Sequence, residues 1–141
     1  MVNVSGSPTL TNITFSGNLA GSRVAINNAA TRSPSLTDAI FSADSATEIG
    51  GGMYNSLSSP ALTGVTFTNN SAGYSGGGMY NDFSSPTLYR VTFSGNKSYF
   101  GGGMANHSGI PTLTDVIFFQ NQVQLAGGGI FNSSSSPSLT R

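Results

Sequence analysis

The sequence predicts an all-β fold, a parallel β-solenoid of about five rungs of 26 residues, in a single domain that covers residues 1–141. Three observations predict it: a fixed interval between prolines, an alternating apolar pattern after each proline, and glycine triplets later in the unit. The prolines are separated by 26, 26, 26, 25 and 26 residues. They open five rungs and a partial sixth: Pro8, Pro34, Pro60, Pro86, Pro111 and Pro137. Such a repeat indicates one supersecondary unit stacked on copies of itself.

The residues after each proline have the period of a strand with one buried face. Counting proline as position zero, leucine stands at +2, a small or β-branched apolar residue at +5 and phenylalanine at +7, with mostly polar residues between. Identical columns of stacked parallel strands lie about 4.8 Å apart, so the phenylalanines are expected to form a buried ladder beside the leucines. The predicted ladder residues are Phe15, Phe41, Phe67, Phe93, Phe118, Leu36, Leu62 and Leu88.

The second half of each unit distinguishes a solenoid of strands from a leucine-rich repeat. Leu10-x-x-Ile13-x-Phe15-x-x-Asn18 fits the leucine-rich template, and the period also fits. That template continues with a helix or 3₁₀ segment, whereas this chain continues with three glycines and a Ser/Pro run. Each interior glycine costs a helix about 1 kcal/mol and proline about 3 kcal/mol. We therefore expect two or three short strands per rung, with glycines at a sharp corner where φ is positive.

Asparagine recurs at +10 and, after the glycines and a Met or Ile, at +21. Stacked asparagines can hydrogen-bond to their copies above and below, so both columns are expected to be internal ladders. Their representatives are Asn70 and Asn96 in the first column, and Asn81 and Asn106 in the second. Two positions depart from the pattern. Asp44 replaces one ladder asparagine, and residues 24–26 read Val-Ala-Ile where glycines are expected.

Two tetrapeptides carry a resemblance to a known family. Phe-x-x-Asn, as at 67–70, and Gly-Gly-Gly-Met/Ile, as at 76–79, resemble the repeats of bacterial polymorphic outer-membrane proteins and of related secreted bacterial β-helix proteins. The resemblance covers nearly the whole chain. It implies a right-handed parallel β-helix that serves as a surface-exposed passenger or adhesin stalk, and a location outside the cell or at the cell surface, associated with the outer membrane.

The composition argues against several classes of function. Charged residues are 7% of the chain, five acidic and five basic, so there is no electrostatic footprint for nucleic acid or an anionic membrane. With one histidine and no cysteine, no metal or other cofactor is predicted. The apolar runs are too short to span a bilayer, and the first residues do not read as a signal peptide.

One set of side chains has the composition of a catalytic triad. Asp82, His107 and Ser133 occupy equivalent places in the turns of successive rungs, and these are the side chains of acyl transfer. Serine is the usual residue of this turn, and no oxyanion site is evident, so a solvated turn is the favoured interpretation. Asp38 and Asp115 share a column but lie three rungs apart, which is too far for the carboxyl pair of a glycosidase.

Outward aromatic residues are the better signal for an interaction surface. Exposed aromatic strips hold sugars or a neighbouring protein surface, although such rings also cover turns. Two columns are predicted, Tyr54, Tyr80 and Phe131 in the first, and Tyr74 and Phe100 in the second.

The sequence thus predicts a non-enzymatic structural and adhesion module of the cell surface or extracellular space, whose partner is a host or surface protein or a glycan. Both ends of the chain lie partway through a rung without a cap, so we expect their strand edges to be covered by further repeats or by other copies. Copies stacked end to end would form an extracellular filament, which is the alternative function. A carbohydrate-active enzyme and an ice-binding protein, the latter suggested by a partial threonine row at +6, are less favoured alternatives.

Overall fold

The computed structural model describes residues 1–4, 6–23, 25–30 and 33–141, so Val24 of the glycine-free first corner lies outside the described residues. The fold is a parallel β-solenoid of about five turns, without a helix in the described ranges. Paired residues are 25 to 27 positions apart, as in Met79↔Met104, Phe41↔Phe67 and Asn28↔Asn55. The predicted fold class is therefore confirmed.

The strands are short, two to five residues each. The first eleven are β1 (Val2–Asn3), β2 (Thr9–Thr11), β3 (Thr14–Ser16), β4 (Leu19–Ala20), β5 (Ile26–Ala29), β6 (Ser35–Thr37), β7 (Ile40–Ser42), β8 (Ser45–Ala46), β9 (Met53–Ser56), β10 (Ala61–Thr63) and β11 (Thr66–Thr68). The others are β12 (Ser71–Ala72), β13 (Met79–Asp82), β14 (Thr87–Tyr89), β15 (Thr92–Ser94), β16 (Lys97–Phe100), β17 (Met104–His107), β18 (Thr112–Thr114), β19 (Ile117–Phe119), β20 (Gln122–Ala126), β21 (Ile130–Ser133) and β22 (Ser138–Thr140).

These strands form four parallel sheets that run along the solenoid. The proline sheet contains β2, β6, β10, β14, β18 and β22, and the phenylalanine sheet contains β3, β7, β11, β15 and β19. The short sheet contains β4, β8, β12, β16 and β20, and the glycine sheet contains β1, β5, β9, β13, β17 and β21. Each full rung therefore has four strands, and the expectation of two or three was wrong. The first three strands of the short sheet are only two residues long, which is too short for an alternating apolar pattern to show in the sequence.

Each rung turns at four corners, and each corner contains one residue in the left-handed region. In the third rung these are Gly64, Asn69, Gly76 and Phe83, with φ of 65°, 54°, 68° and 46°. A left-handed conformation costs a non-glycine residue about 1–2 kcal/mol. The corner backbone is held by a hydrogen bond to the next rung: the N–H of Phe83, for example, donates to the carbonyl oxygen of His107 at 2.9 Å. Glycine at one corner was expected, but the non-glycine corners were not.

The phenylalanine column fills the centre of the solenoid. Phe41, Phe67 and Phe93 have no exposed surface, and their ring centroids are 4.6 and 4.8 Å apart with nearly parallel planes. Phe15 and Phe118 are half-buried and continue the stack at 5.0 Å. Leucines of the proline sheet lie in the same core: Leu36, Leu62 and Leu88. Identical layers thus bury the same apolar groups on the inner rungs, and the same columns are less buried on the outer rungs.

The third glycine of each triplet allows the phenylalanine ring to lie against the backbone. A Cβ on Gly78 would lie 2.6 Å from the carbonyl oxygen of Gly103 and 2.9 Å from the Phe93 ring. Neither the backbone of the next rung nor a ring fixed in the stack can move away at low cost. Glycine is therefore required here by close approach rather than by its φ angle.

Two asparagine ladders run beside the core. In the glycine sheet, Asn55 donates its side-chain amide to Asn81, and Asn81 to Asn106, each at 2.8 Å. At the corner after the phenylalanine sheet, Asn70 donates both its backbone N–H and its Nδ2 to Oδ1 of Asn96, at 3.0 and 3.1 Å. These amides are buried at a tolerable cost because each finds a partner on the neighbouring rung.

Candidate functional site: an aromatic cleft beside the glycine sheet

The predicted first aromatic column is only partly accessible. Tyr54 and Tyr80 stack with ring centroids 5.8 Å apart and planes 5° from parallel. Tyr54 is only 5% exposed, because the guanidinium of Arg23 lies 4.2 Å from the centre of its ring. Including Tyr54 in an exposed surface was therefore wrong, and the accessible part of this column begins at the half-buried Tyr80.

The contact between Arg23 and the ring of Tyr54 can be tested by substitution. Replacing Arg23 by alanine is expected to expose Tyr54 and to lower the free energy of unfolding by about 0.5–1 kcal/mol, the usual size of a cation–π contact near the surface. Urea unfolding measures the second effect and acrylamide quenching of tyrosine fluorescence the first. Arg90→Ala is the matched control, because Arg90 covers Tyr89, which is already 37% exposed. Equal quenching in the two variants would contradict the assignment.

The second predicted column, Tyr74 with Phe100, is not a column in the structure. Phe100 is paired in register with Ser75, while Tyr74 stacks on Tyr99 at 6.4 Å with planes 5° from parallel. Tyr74 instead meets the Phe100 ring edge to face at 5.6 Å. The cause is the shorter fourth rung, whose missing residue falls before Phe100. Tyr74 and Tyr99 fall in one column when positions are counted backward from the glycine triplets, whereas counting forward from the prolines pairs Tyr74 with Phe100.

A change from large to small side chains opens a cleft in the first column. Tyr80 is paired in register with Ala105, and Ala105 with Phe131. Phe100, just before the glycines of the Ala105 rung, has its ring centroid 4.8 Å from that of Phe131. The space left between these rings and Tyr74 is a cleft of about 260 Å³. We call it the aromatic cleft; it is lined by Tyr74, Ser75, Tyr80, Phe100, Ala105, Asn106, His107, Phe131 and Ser133.

One side of the aromatic cleft is polar. His107 Nδ1 lies 2.9 Å from Oδ1 of Asp82, and the two side chains are 42% and 27% exposed. Phe83 meets the imidazole edge to face, with centroids 5.3 Å apart. These contacts fix the orientation of the ring. Nε2 of His107 has no hydrogen-bond partner within the part of the chain that the structure describes, so it is available to a bound molecule.

The third member of the possible catalytic set lies in the same cleft. Ser133 is the register partner of His107 and lines the cleft with it. Across the described ranges no hydrogen bond joins Ser133 to the imidazole, although such a contact is what activates a serine nucleophile. The structure therefore brings Asp82 and His107 together and places Ser133 beside them, without forming the relay of acyl transfer.

Tyr80 contributes a phenol to the lining of the cleft. Burial raises the pKa of Tyr80, and the nearby carboxylate of Asp82 raises it further. The phenol therefore stays protonated throughout the neutral range. No lysine or arginine is among the described residues that line the cleft. The cleft thus offers aromatic faces, hydroxyls and one imidazole, with no lysine or arginine that would select an anionic ligand.

Two further features concern the described residues as a whole. Nowhere among them do three or more His, Cys, Asp or Glu side chains come together in a way that could hold a metal ion. They also include no helix with the length and apolarity needed to cross a membrane.

The fold defines the class of protein: a β-solenoid repeat protein whose rungs repeat the same residues in register. Within that class, the family model of the Chlamydia polymorphic membrane protein repeat matches residues 64–81. The matched segment contains Phe67, Asn70 and the glycine triplet of the third rung. This match, together with the fold, confirms the resemblance drawn from the tetrapeptides. Neither the curated proteins nor the solved structures compared with the chain gave a match.

Proposed function

We propose that this chain is a non-enzymatic structural and adhesion module of the cell surface or extracellular space. The observation that carries the proposal is the match to a polymorphic membrane protein repeat on a solenoid whose rungs stack in register. Five rungs at strand spacing make a rod about 25 Å long. Both asparagine ladders and the phenylalanine stack run along that rod, so side chains on its surface keep fixed positions relative to one another.

The accessible aromatic residues supply the contact surface in this proposal. Tyr74 is 59% exposed and Tyr99 is 37% exposed, and the two rings stack at the edge of the aromatic cleft. Rings that are already held by neighbours lose little conformational freedom when a partner covers them. Tyrosine also offers both an apolar face and a hydroxyl, which explains its frequent use as an anchor in interfaces.

Adhesion is tested by coupling the purified chain to fluorescent beads and measuring retention under flow on a panel of cultured cells, matrix proteins and mucin. We expect retention on at least one surface and a loss of roughly tenfold for the double variant Tyr74→Ala/Tyr99→Ala, since anchor truncation commonly costs more than 1 kcal/mol. Tyr89→Ala is the control, because Tyr89 is as exposed as Tyr99 but lies in the proline sheet. Equal retention of all three proteins would contradict the proposal.

An end-to-end filament is the competing proposal. The outer edges of the first and last strands of each sheet can be continued by a second copy as well as by further repeats of one chain. Negative-stain electron microscopy at increasing protein concentration distinguishes the two. Uniform filaments of solenoid width would favour assembly, whereas single short rods that still adhere as beads would favour the adhesion module.

A further inference from the structure

The size of the aromatic cleft limits its occupant. Clefts that hold drug-sized ligands have volumes of about 300–1,000 Å³, and this one has about 260 Å³. It therefore suits a single ring and its substituents. Either a free small molecule or one residue of a longer polymer fits this limit.

The side chains that line the cleft indicate which class of ligand fits it. A pyranose ring has an apolar face of C–H groups and a rim of hydroxyls, so it needs an aromatic face on one side and hydrogen-bonding groups at its edge. Tyr74 and Phe131 supply aromatic surface. His107, Tyr80 and Ser133 also line the cleft and bring an imidazole, a phenol and an aliphatic hydroxyl as hydrogen-bonding groups. A planar aromatic ligand would leave most of these polar groups without a partner, which costs binding energy.

The charged groups in and near the cleft favour a neutral sugar over an acidic one. The cleft lining contains no lysine or arginine among the described residues, and the carboxylate of Asp82 lies directly behind the imidazole. A uronic or sialic acid would bring a second carboxylate near Asp82 without a cation to balance it. We propose that the aromatic cleft binds one neutral hexose or N-acetylhexosamine ring of a glycan. This inference deepens the proposed function and rests on it for the biological role of the cleft.

Saturation-transfer NMR on the intact chain tests the proposal. The probes are the methyl β-glycosides of galactose, glucose and N-acetylglucosamine, with methyl glucuronide as the acidic sugar and N-acetyltyrosinamide as the aromatic non-sugar. We expect transfer to the C–H protons of at least one neutral glycoside, with a dissociation constant on the order of millimolar for so small a ligand. The two comparison probes are expected to give no specific transfer.

Matched variants assign the binding to the cleft. Tyr74→Ala and His107→Ala are each expected to weaken glycoside binding by roughly five- to tenfold, and Tyr89→Ala to leave it unchanged. Both altered side chains are partly exposed, and a thermal melt followed by circular dichroism checks that the solenoid persists. Absence of transfer from every neutral glycoside would overturn the proposal. So would equal binding by Tyr74→Ala, or binding of N-acetyltyrosinamide in preference to the sugars.

The outcome is separable from that of the adhesion test. If beads adhere but excess methyl glycoside neither competes with them nor shows saturation transfer, the sugar site is wrong and the adhesion module stands. If the glycoside binds the cleft but the beads adhere to no surface, the site stands and the adhesion role is wrong.

Discussion

Replacing Phe67 by alanine is expected to lower the free energy of unfolding by about 3–5 kcal/mol, the usual cost of removing a buried phenylalanine ring. The ring has no exposed surface and is stacked between Phe41 at 4.6 Å and Phe93 at 4.8 Å. Its loss removes contacts with two rungs at once. Because solenoid stability depends on interfaces between neighbouring rungs, a cavity in the middle rung weakens the coupling between the two ends.

Urea unfolding followed by circular dichroism measures this change, and Phe119→Ala is its matched control. Phe119 follows the ladder residue of its own strand and is 57% exposed, so its truncation is expected to change stability by less than about 0.5 kcal/mol. A broadened or two-step transition in Phe67→Ala would reveal that the rungs on either side have separated. An unchanged unfolding midpoint would contradict the assignment of Phe67 to the core.

The phenylalanine ladder could be predicted from the sequence because two constraints fix it together. A strand period of two sets which face is buried, and the proline interval sets which residues stack. Phe41 and Phe67 satisfy both, and the structure pairs them directly. The asparagine columns follow from the same register, since a buried amide in a repeated layer finds its copy one rung away.

The corners could not be predicted to the same extent. Leu57 and Phe83 adopt φ of 52° and 46°, a region in which glycine is the usual residue. Local preference argues against such a corner, but the hydrogen bonds and packing of four sheets outweigh a cost of about 1–2 kcal/mol. In a repeated fold the geometry of each corner is imposed by the rungs above and below, and its own sequence has little influence.

The aromatic cleft could not be predicted from the repeat, because it forms where the chain departs from the repeat. The shape of the aromatic cleft arises from two departures from the repeat: the residue missing before Phe100 and the alanine at 105. A one-residue deletion can be accommodated at several points of a rung, and counting forward from proline placed Phe100 in the column of Tyr74 instead of that of Ser75. Likewise, the burial of Tyr54 depends on Arg23, which belongs to the irregular first corner.

The second large effect on stability is expected at Asp44, which occupies a position of the asparagine ladder. Unlike asparagine, an aspartate carboxylate has no hydrogen to donate there. Its Oδ1 accepts from the backbone N–H and the amide of Asn18 at 2.9 and 2.7 Å, as an asparagine oxygen would. In the next rung, Asn70 uses Nδ2 to donate to the carbonyl of Phe41 at 3.0 Å. The equivalent acceptor for residue 44 is the carbonyl of Phe15, because Phe15 and Phe41 are register partners. Oδ2 of Asp44 is buried and has no hydrogen-bond partner among the described residues.

Asp44→Asn is therefore expected to stabilise the solenoid by about 1–3 kcal/mol near neutral pH, the cost of leaving a buried polar atom without a partner. The substitution keeps the shape of the side chain and the acceptor Oδ1, and it supplies the missing donor. Urea unfolding measures the gain. Asp38→Asn is the control, since Asp38 is exposed at a corner and its change is expected to stay within about 0.5 kcal/mol.

The advantage of Asp44→Asn is expected to shrink as the pH falls. Burial raises the folded-state pKa of Asp44 above the ordinary value of 3.8, and this outweighs the opposing hydrogen bonds from Asn18 and the weaker effect of the amino terminus of Met1. A carboxyl group whose pKa is raised on folding contributes stability that is fully present below the unfolded pKa and is lost as the pH rises through the folded pKa. Protonation gives Oδ2 a hydrogen to donate, as asparagine does. Unfolding of both proteins between about pH 7 and pH 4 should thus show the two stabilities converging, and a gap that stayed constant or widened on acidification would mean that Asp44 is ionised in the ladder.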